Sequence, residues 1–394
     1  MTAEPASAPS IQSRYLVLSH FRVDGPPQAL VRYLSGLAGT EVTYVGHPLE
    51  PGFANHECFI SSQGVTRVRT QLKAVVTLPV LCWVWDIALT LFWAIKLRRA
   101  YTTCVAAGCV NVVSALILKR LGIVETVVFY SIDFVPRRFA NAFLQSLYRT
   151  FDNVAFVMAD VTWCLTDRMV AARKREVGSL RSAKVDVIVP IGIDSLTPPH
   201  DEQHVERHTV VYVGAVLEKQ GLQIVIPVLR PLQDRYPTLR LRIIGDGPFL
   251  VKIRDLAREH DVENLVEFCG LITDRKRFSE RIGTAAVGLA TYAPVGDSFT
   301  WYADPGKPKD YMALGIPVII TDVPEVAQLI QAEGAGRLVS YDTQSVFDAI
   351  DRFLADDDYW REARQSALRL SRAYRWDAIF EQALKSSRPL VRDV

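Results

Sequence analysis

Tyr302-Ala303-Asp304-Pro305-Gly306-Lys307-Pro308-Lys309-Asp310-Tyr311-Met312-Ala313-Leu314-Gly315-Ile316-Pro317-Val318-Ile319-Ile320-Thr321-Asp322 is the stretch whose reading decides the fold. It reads as a loop, a short helix entered near Lys307, a glycine stop at Gly315 and an apolar strand over 317–321. Thr291-Tyr292-Ala293-Pro294, upstream, reads as the end of another strand. Strand ends followed by helix starts are where α/β sheets bind ligands. A helix N-terminus presents unpaired N–H groups that favour an anion, and Lys307 adds a cation there. Asp310, one turn on along the same face, is an acceptor suited to a pair of sugar hydroxyls. The pair suits a nucleotide; the alternative is a surface loop with ordinary charges before a buried strand.

A lysine or acidic residue shortly before an A-x-G-x-P-V-I turn, here Ala313, Gly315 and Pro317-Val318-Ile319, resembles the donor site of GT-B glycosyltransferases. The chain resembles the large retaining GT-B family four and, within the wider clan, the glucuronosyltransferases of xanthan assembly. Family four serves the sugar and the ribose with a pair of glutamates. Here Asp310 takes the second place and Tyr302 the first, with Asp304 nearby as an acceptor-side or cleft residue. The xanthan enzymes set a lysine shortly before a glutamine, a pattern closer to Lys307 and Asp310.

The resemblance implies an α/β chain of two facing doubly wound, Rossmann-like domains with a cleft between them. Length agrees, because 394 residues exceed one ordinary core. The expected divisions are a disordered tail over 1–13, an acceptor-binding domain over 14–194 and a polar linker over 195–208. A nucleotide-sugar-binding domain over 209–372 follows, and a terminal helix over 373–394 crosses back to the first domain. Hydrophobic residues at 49% and charged ones at 22% are a globular balance, and a formal net charge of +2 gives no reason to expect nucleic acid. The six cysteines lack the close pairing of a metal site or redox motif, which suits a reduced cytoplasm. The first thirteen residues have neither the basic start nor the apolar core of a signal peptide.

The first half opens with a strand over 14–19, a helix over 28–38 and a strand over 41–45, a β-α-β unit. The xanthan enzymes open similarly, so His20, Phe21 and Arg22 are expected to face the cleft, with His20 as a catalytic candidate. A structural histidine and a solvated loop arginine are the alternatives. Residues 74–95 are almost wholly apolar, with Arg67, Arg69 and Lys73 before them and Lys96, Arg98 and Arg99 after. About twenty such residues reach transmembrane length, yet Asp86 falls mid-run and Pro79 interrupts it. Trp83, Trp85 and Trp93 suit an interface, and the basic flanks suit anionic headgroups. The expectation is a helix or helical hairpin over 74–99 lying against the cytoplasmic membrane face, with Lys119, Arg120, Arg137 and Arg138 extending the basic surface. The alternatives are a buried helix and a true span.

Residues 125–129 form a strand ending in Tyr130-Ser131-Ile132-Asp133, which puts Asp133 at the carboxyl end of a central strand. The resemblance makes it the general base for an acceptor hydroxyl; capping the next helix, expected over 139–152, is the alternative.

In the second half, family four shows G-R-L and then a lysine and glycine after its first strand. This chain keeps Gly214 and Lys219 but has Ala215 in place of the arginine, so Lys307 is expected to replace the lost diphosphate grip. Gly245 and Gly247 sit in the family's next strand-turn-helix, where they either serve backbone packing or face nucleotide. Tyr292 matches a tyrosine beside the nucleotide in the xanthan enzymes, or is a core aromatic.

The resemblance therefore implies a glycosyltransferase of hexosyl or glucuronosyl type, peripherally bound to the inner membrane. It would move sugar from a nucleotide diphosphate sugar to a lipid-linked or saccharide acceptor in polysaccharide or glycoconjugate assembly. No cofactor is expected. Catalysis is expected to be metal-independent, with no metal ligand, because no D-x-D pair sits in a suitable loop and basic residues can neutralise the leaving diphosphate. A nucleotide-sugar epimerase of the same fold and a non-catalytic partner subunit are the rival readings.

Overall fold

Apolar strands alternating with amphipathic helices generate two sheets. The computed structural model describes residues 11–21, 24–49, 54–74, 78–180, 184–194, 199–295 and 299–387. They fall into two units, one of Met1–Pro190 with Ile379–Val394 and one of Ile191–Ala378.

The first unit runs β1 (Ser13–Phe21), α1 (Pro26–Gly36), β2 (Thr40–Pro48), β3 (Asn55–Ser62), β4 (Val65–Lys73), α2 (Pro79–Lys96), β5 (Tyr101–Ala107), α3 (Cys109–Arg120), β6 (Val124–Ser131), α4 (Ala142–Met158), β7 (Val161–Cys164), α5 (Asp167–Val177) and β8 (Val185–Ile188). Its eight strands lie in the order β4-β3-β2-β1-β5-β6-β7-β8. Strands β2, β1, β5, β6, β7 and β8 are parallel, and β3 and β4 extend the edge antiparallel. The order reverses between β1 and β5, so their carboxyl ends diverge into a crevice. Central strands are apolar on both faces, as a covered parallel sheet demands: Leu16, Val17 and Leu18 are fully buried.

The β3–β4 hairpin was not expected. Every residue of β4 is exposed, so no burial pattern marks it, and its Arg67, Arg69 and Lys73 suit a charged edge strand. Within the apolar run over 74–99, Pro79–Lys96 forms a single helix, with Pro79 in its first turn, where its missing N–H costs nothing; residues 75–77 lie outside the described residues. Helix α4 starts and ends later than expected: Asn141 caps it by accepting from Leu144 N at 3.1 Å, and it continues through the apolar residues to Met158.

The second unit contains β9 (Glu206–Val213), α6 (Leu229–Arg235), β10 (Arg240–Ile244), α7 (Leu250–Glu259), β11 (Val266–Gly270), α8 (Arg275–Gly283), β12 (Ala285–Ala290), α9 (Phe299–Tyr302), α10 (Gly306–Ala313), β13 (Val318–Thr321), α11 (Val326–Ala332), β14 (Gly336–Val339), α12 (Thr343–Ala355) and α13 (Asp357–Ser371). Its six strands are all parallel in the order β11-β10-β9-β12-β13-β14, with the reversal between β9 and β12. Helix α14 (Trp376–Ser387) ends the described chain, and from Ile379 it groups with the first unit, where Trp163 Nε1 donates to Ser387 Oγ at 3.0 Å.

Candidate functional site

In the first unit, a cavity of about 390 Å³ opens at the β1/β5 reversal. Strand ends supply His20, Ala107, Ile132 and Asp133, and α2 supplies Cys82, Trp83, Trp85 and Asp86. Asn111 Nδ2 donates to His20 Nδ1 at 3.0 Å and to Ala107 O at 2.7 Å. With Nδ1 accepting, the His20 proton lies on Nε2 and is donated to Asp86 Oδ2 at 3.0 Å. Asp133 reaches the same cavity and is paired with Arg138. Its strand end is held from below by Arg173, which is buried, stacks on Phe129 and Phe134, pairs with Asp152 and donates to Ser131 Oγ and Asp133 O. Pro79, Trp83, Trp85, Phe139 and Tyr148 make the rest of the wall largely apolar.

In the second unit, Tyr311 locks α10 onto the sheet. Its hydroxyl accepts from Val213 N at 2.8 Å, and its ring covers Gly288, where a Cβ would fall 2.4 Å from Tyr311 Cδ2. Lys307, in the first turn of α10, is thereby aimed at the β9/β12 reversal. Its Nζ donates to Gln220 Oε1 at 2.7 Å and lies 4.2 Å from the Tyr212 ring centroid and 4.8 Å from that of Tyr292. Among the described residues no carboxylate pairs with it, and burial pulls the ammonium down to about 7. The Tyr292 hydroxyl is buried with no hydrogen-bond partner among the described residues, and burial raises it well above the usual phenol range. Two loops complete the floor. Gly221 packs on Thr291, where a Cβ would sit 1.7 Å from the carbonyl oxygen, and Ala293 N donates to Lys219 O at 3.0 Å. The Lys219 ammonium lies 5.8 Å from the Phe299 ring centroid.

Residues 207–356, the segment that builds this second arrangement, match the family described as Glycosyl transferases group 1. They form a glycosyltransferase group 1 domain. The chain is 24% identical over 230 residues to WcaL of Escherichia coli K12, named as a colanic acid biosynthesis glycosyltransferase; the match covers 58% of this chain and 55% of WcaL, little more than half its length. In fold it is similar to sucrose-phosphate synthase from Thermosynechococcus elongatus, with a TM-score of 0.71 at 18% identity over 96% of this chain and 99% of that one. Anabaena HepE, solved in complex with UDP and glucose, superposes with a TM-score of 0.66 at 14% identity, over 95% and 99% of the two chains. At these identities the likeness speaks for the fold, two Rossmann-like α/β domains of the GT-B kind.

Within the group 1 domain, Gly214, Lys219, Tyr292 and Lys307 gather around the β9/β12 reversal, and Asp310 lies half-buried one helical turn beyond Lys307. Gly245 and Gly247 serve backbone packing: Cβ atoms there would meet Gly214 O at 1.9 Å and Val216 O at 2.4 Å. Gly214, with φ of +120° and open space around its would-be Cβ, is the glycine left facing outward. Two expectations are corrected. Asp304 is no open cleft residue; it is buried, pairs with Lys309 and accepts from Ile191 N at 2.5 Å. Burial pushes its carboxyl up and the Lys309 ammonium down, and each partner pulls the other back. Lys307 is not the fully charged cation foreseen either, because two aromatic faces strip its water.

In the first unit, Asp133 caps no helix; its partner is Arg138. Trp93 is no interface residue, being buried and stacked on His47 at 6.4 Å, and Trp83 packs among Phe139, Tyr148 and Phe151. Lys119 and Arg138 do not extend a basic surface, since Asp160 and Asp133 pair with them. Arg22 lies outside the described residues. Gln220, Tyr212 and Arg173 escaped the sequence reading; a loop glutamine, a strand tyrosine and a mid-helix arginine carry no local mark of their roles.

Proposed function

We propose that the protein is a glycosyltransferase that moves a sugar from a nucleotide diphosphate sugar to a lipid-linked or saccharide acceptor in polysaccharide assembly. The observation that carries this is Lys307 Nζ, held at a strand-order reversal by an amide oxygen and two aromatic rings, with no carboxylate paired to it among the described residues. A half-buried ammonium with no counter-charge among the described residues is a site for an anion, and a diphosphate brings one. Tyr292 offers a second unspent donor beside it. In this reading Lys219, Lys307 and the α10 N-terminus take the departing diphosphate, Asp310 the ribose, and the outward backbone at Gly214 the approach of the phosphates. HepE, solved with UDP and glucose, supports a nucleotide-linked sugar as donor, and the name of WcaL, which refers to colanic acid biosynthesis, supports a polysaccharide product.

The first unit's cavity then takes the acceptor, with His20 and Asp133 as the groups that meet its hydroxyl. An acceptor with an apolar carrier fits the Trp83, Trp85 and Tyr148 wall. Helix α2 is long and apolar enough to cross a membrane, with a mean hydropathy of 1.4 and 28% of it buried. It turns Asp86, Leu89, Thr90, Trp93 and Ala94 inward and leaves Leu81, Val84, Trp85, Phe92 and Ile95 exposed beside Lys96 and Arg98. Such a stripe suits the cytoplasmic membrane surface, where an acceptor's apolar carrier would sit in this reading.

A thermal-shift panel of nucleoside diphosphates, uridine first, tests the donor site, since a ligand of the folded state must raise stability. One nucleotide raising the transition in the wild type and not in Lys307→Ala is the expected result. No shift with any nucleotide would favour the non-catalytic subunit, a reading that the missing arginine at Ala215 makes specific.

A further inference from the structure

We propose that His47, His56 and Asp86 bind a divalent cation of the zinc class in the wall of the first unit's cavity. His47 ends β2, His56 opens the neighbouring β3, and Asp86 comes from α2, so three elements aim one ligand atom each at a common point. All three side chains are buried. His47 Nδ1 and His56 Nδ1 are 3.0 Å apart, and Asp86 Oδ1 is 3.5 Å from the first and 3.6 Å from the second. Ligands about 2.0–2.1 Å from a tetrahedral metal stand about 3.3 Å from one another, which is the spacing found here.

Hydrogen bonding alone accounts poorly for this cluster. One proton at most fits between the two Nδ1 atoms, and 3.5–3.6 Å is too long for either to bond Asp86 Oδ1. Among the described residues no lysine or arginine pairs with this buried carboxylate, whose charge needs an opposite one. A cation at the common point answers all three.

The surroundings are those of a ligand set held by outer partners. His47 Nε2 bonds Thr90 Oγ1 at 2.8 Å, which leaves Nδ1 as the inward atom. Trp93 stacks on the same ring, so α2 fixes His47 with residues one turn and two turns after Asp86. Asp86 Oδ2 accepts from His20, itself oriented by Asn111, leaving Oδ1 for the metal. His56 and Asp86 line the cavity, so the fourth coordination position opens to whatever occupies it, and an acceptor hydroxyl or phosphate oxygen is the chemistry it would take. The metal-independent chemistry expected from sequence concerned the donor diphosphate; this site lies in the other unit and stands whether or not the donor reading does.

Zinc alone, and cobalt(II) as a spectroscopic substitute, added to the purified full chain test the proposal. The expected results are one zinc per chain by elemental analysis after dialysis, and a visible cobalt spectrum of tetrahedral type without a thiolate charge-transfer band. Asp86→Asn and His56→Gln each lose the site, while His20→Ala keeps the stoichiometry with affinity about 10–100-fold weaker. Circular dichroism of each metal-free variant separates lost binding from lost folding, and two ligand variants guard against one failing to fold. No bound zinc in the wild type, unchanged uptake in both ligand variants, or a thiolate band would overturn it.

Discussion

Lys307 Nζ and Gln220 Oε1 meet at 2.7 Å across 87 residues of chain, tying the first turn of α10 to the loop after β9. The bond spends one donor of an ammonium that has three, and aromatic faces take up much of the remaining space.

An ammonium held this way costs stability. Its folded-state pKa is lowered from 10.5 to about 7, so the cost is full below pH 7 and is relieved as pH rises from 7 towards 10.5. Lys307→Met is expected to stabilise the nucleotide-free protein by ~1–3 kcal/mol at pH 6 and by little at pH 10, read from urea midpoints. The same variant loses the thermal shift with nucleoside diphosphate.

A diphosphate bound to Lys307 favours the charged form, so binding takes up a proton above pH 7. Affinity is expected to fall by up to about tenfold per unit between pH 7.5 and 9.5, where the phosphates themselves no longer titrate. Calorimetry in two buffers of different ionisation heat measures the proton. Lys307→Met flattens the profile, and a wild-type affinity independent of pH would remove Lys307 from the site.

Asp304 and Lys309 share one buried pocket with Ile191, whose carbonyl accepts from Lys309 Nζ at 2.7 Å. Removing one partner strands a charge, so Asp304→Ala is expected to destabilise by ~3–5 kcal/mol in urea unfolding. Replacing both, as Asp304→Leu with Lys309→Met, recovers part of that loss; a double variant as weak as the single one would contradict the pairing argument.

Gly214 and Gly245 both have positive φ, +120° and +149°, yet differ in surroundings. Gly214→Ala meets open space and should cost only backbone strain, ~1–3 kcal/mol. Gly245→Ala drives a methyl into Gly214 O, and the group 1 domain is expected not to fold, which soluble yield and circular dichroism report.

The exposed stripe of α2 gives the membrane proposal its test. Sedimentation with anionic vesicles is expected to carry down the wild type and to leave the Val84→Asp, Phe92→Asp double variant in solution, with unchanged circular dichroism. Equal recovery of the two in the supernatant would remove the membrane from the account.

What sequence alone determined about this protein is local and periodic. The apolar strand over Val318–Thr321 and the stop at Gly315 with φ of +70° follow from side-chain period and backbone freedom within one element. The glycine loops belong to the same class, and with them the two-domain α/β fold and the region around Lys307 were legible. Tertiary structure decided what depends on neighbours far along the chain. Asp304 looked like a loop acid until Lys309 and Ile191 closed on it, and Lys307 looked charged until Tyr212 and Tyr292 desolvated it. Asp86 read as an obstacle to a membrane span, and folding turned it towards His20, His47 and His56. Those four residues come from three strands and a helix, so no fixed spacing connects them. Burial and convergence are properties of packing, and they are what set the charge and chemistry of each of these groups.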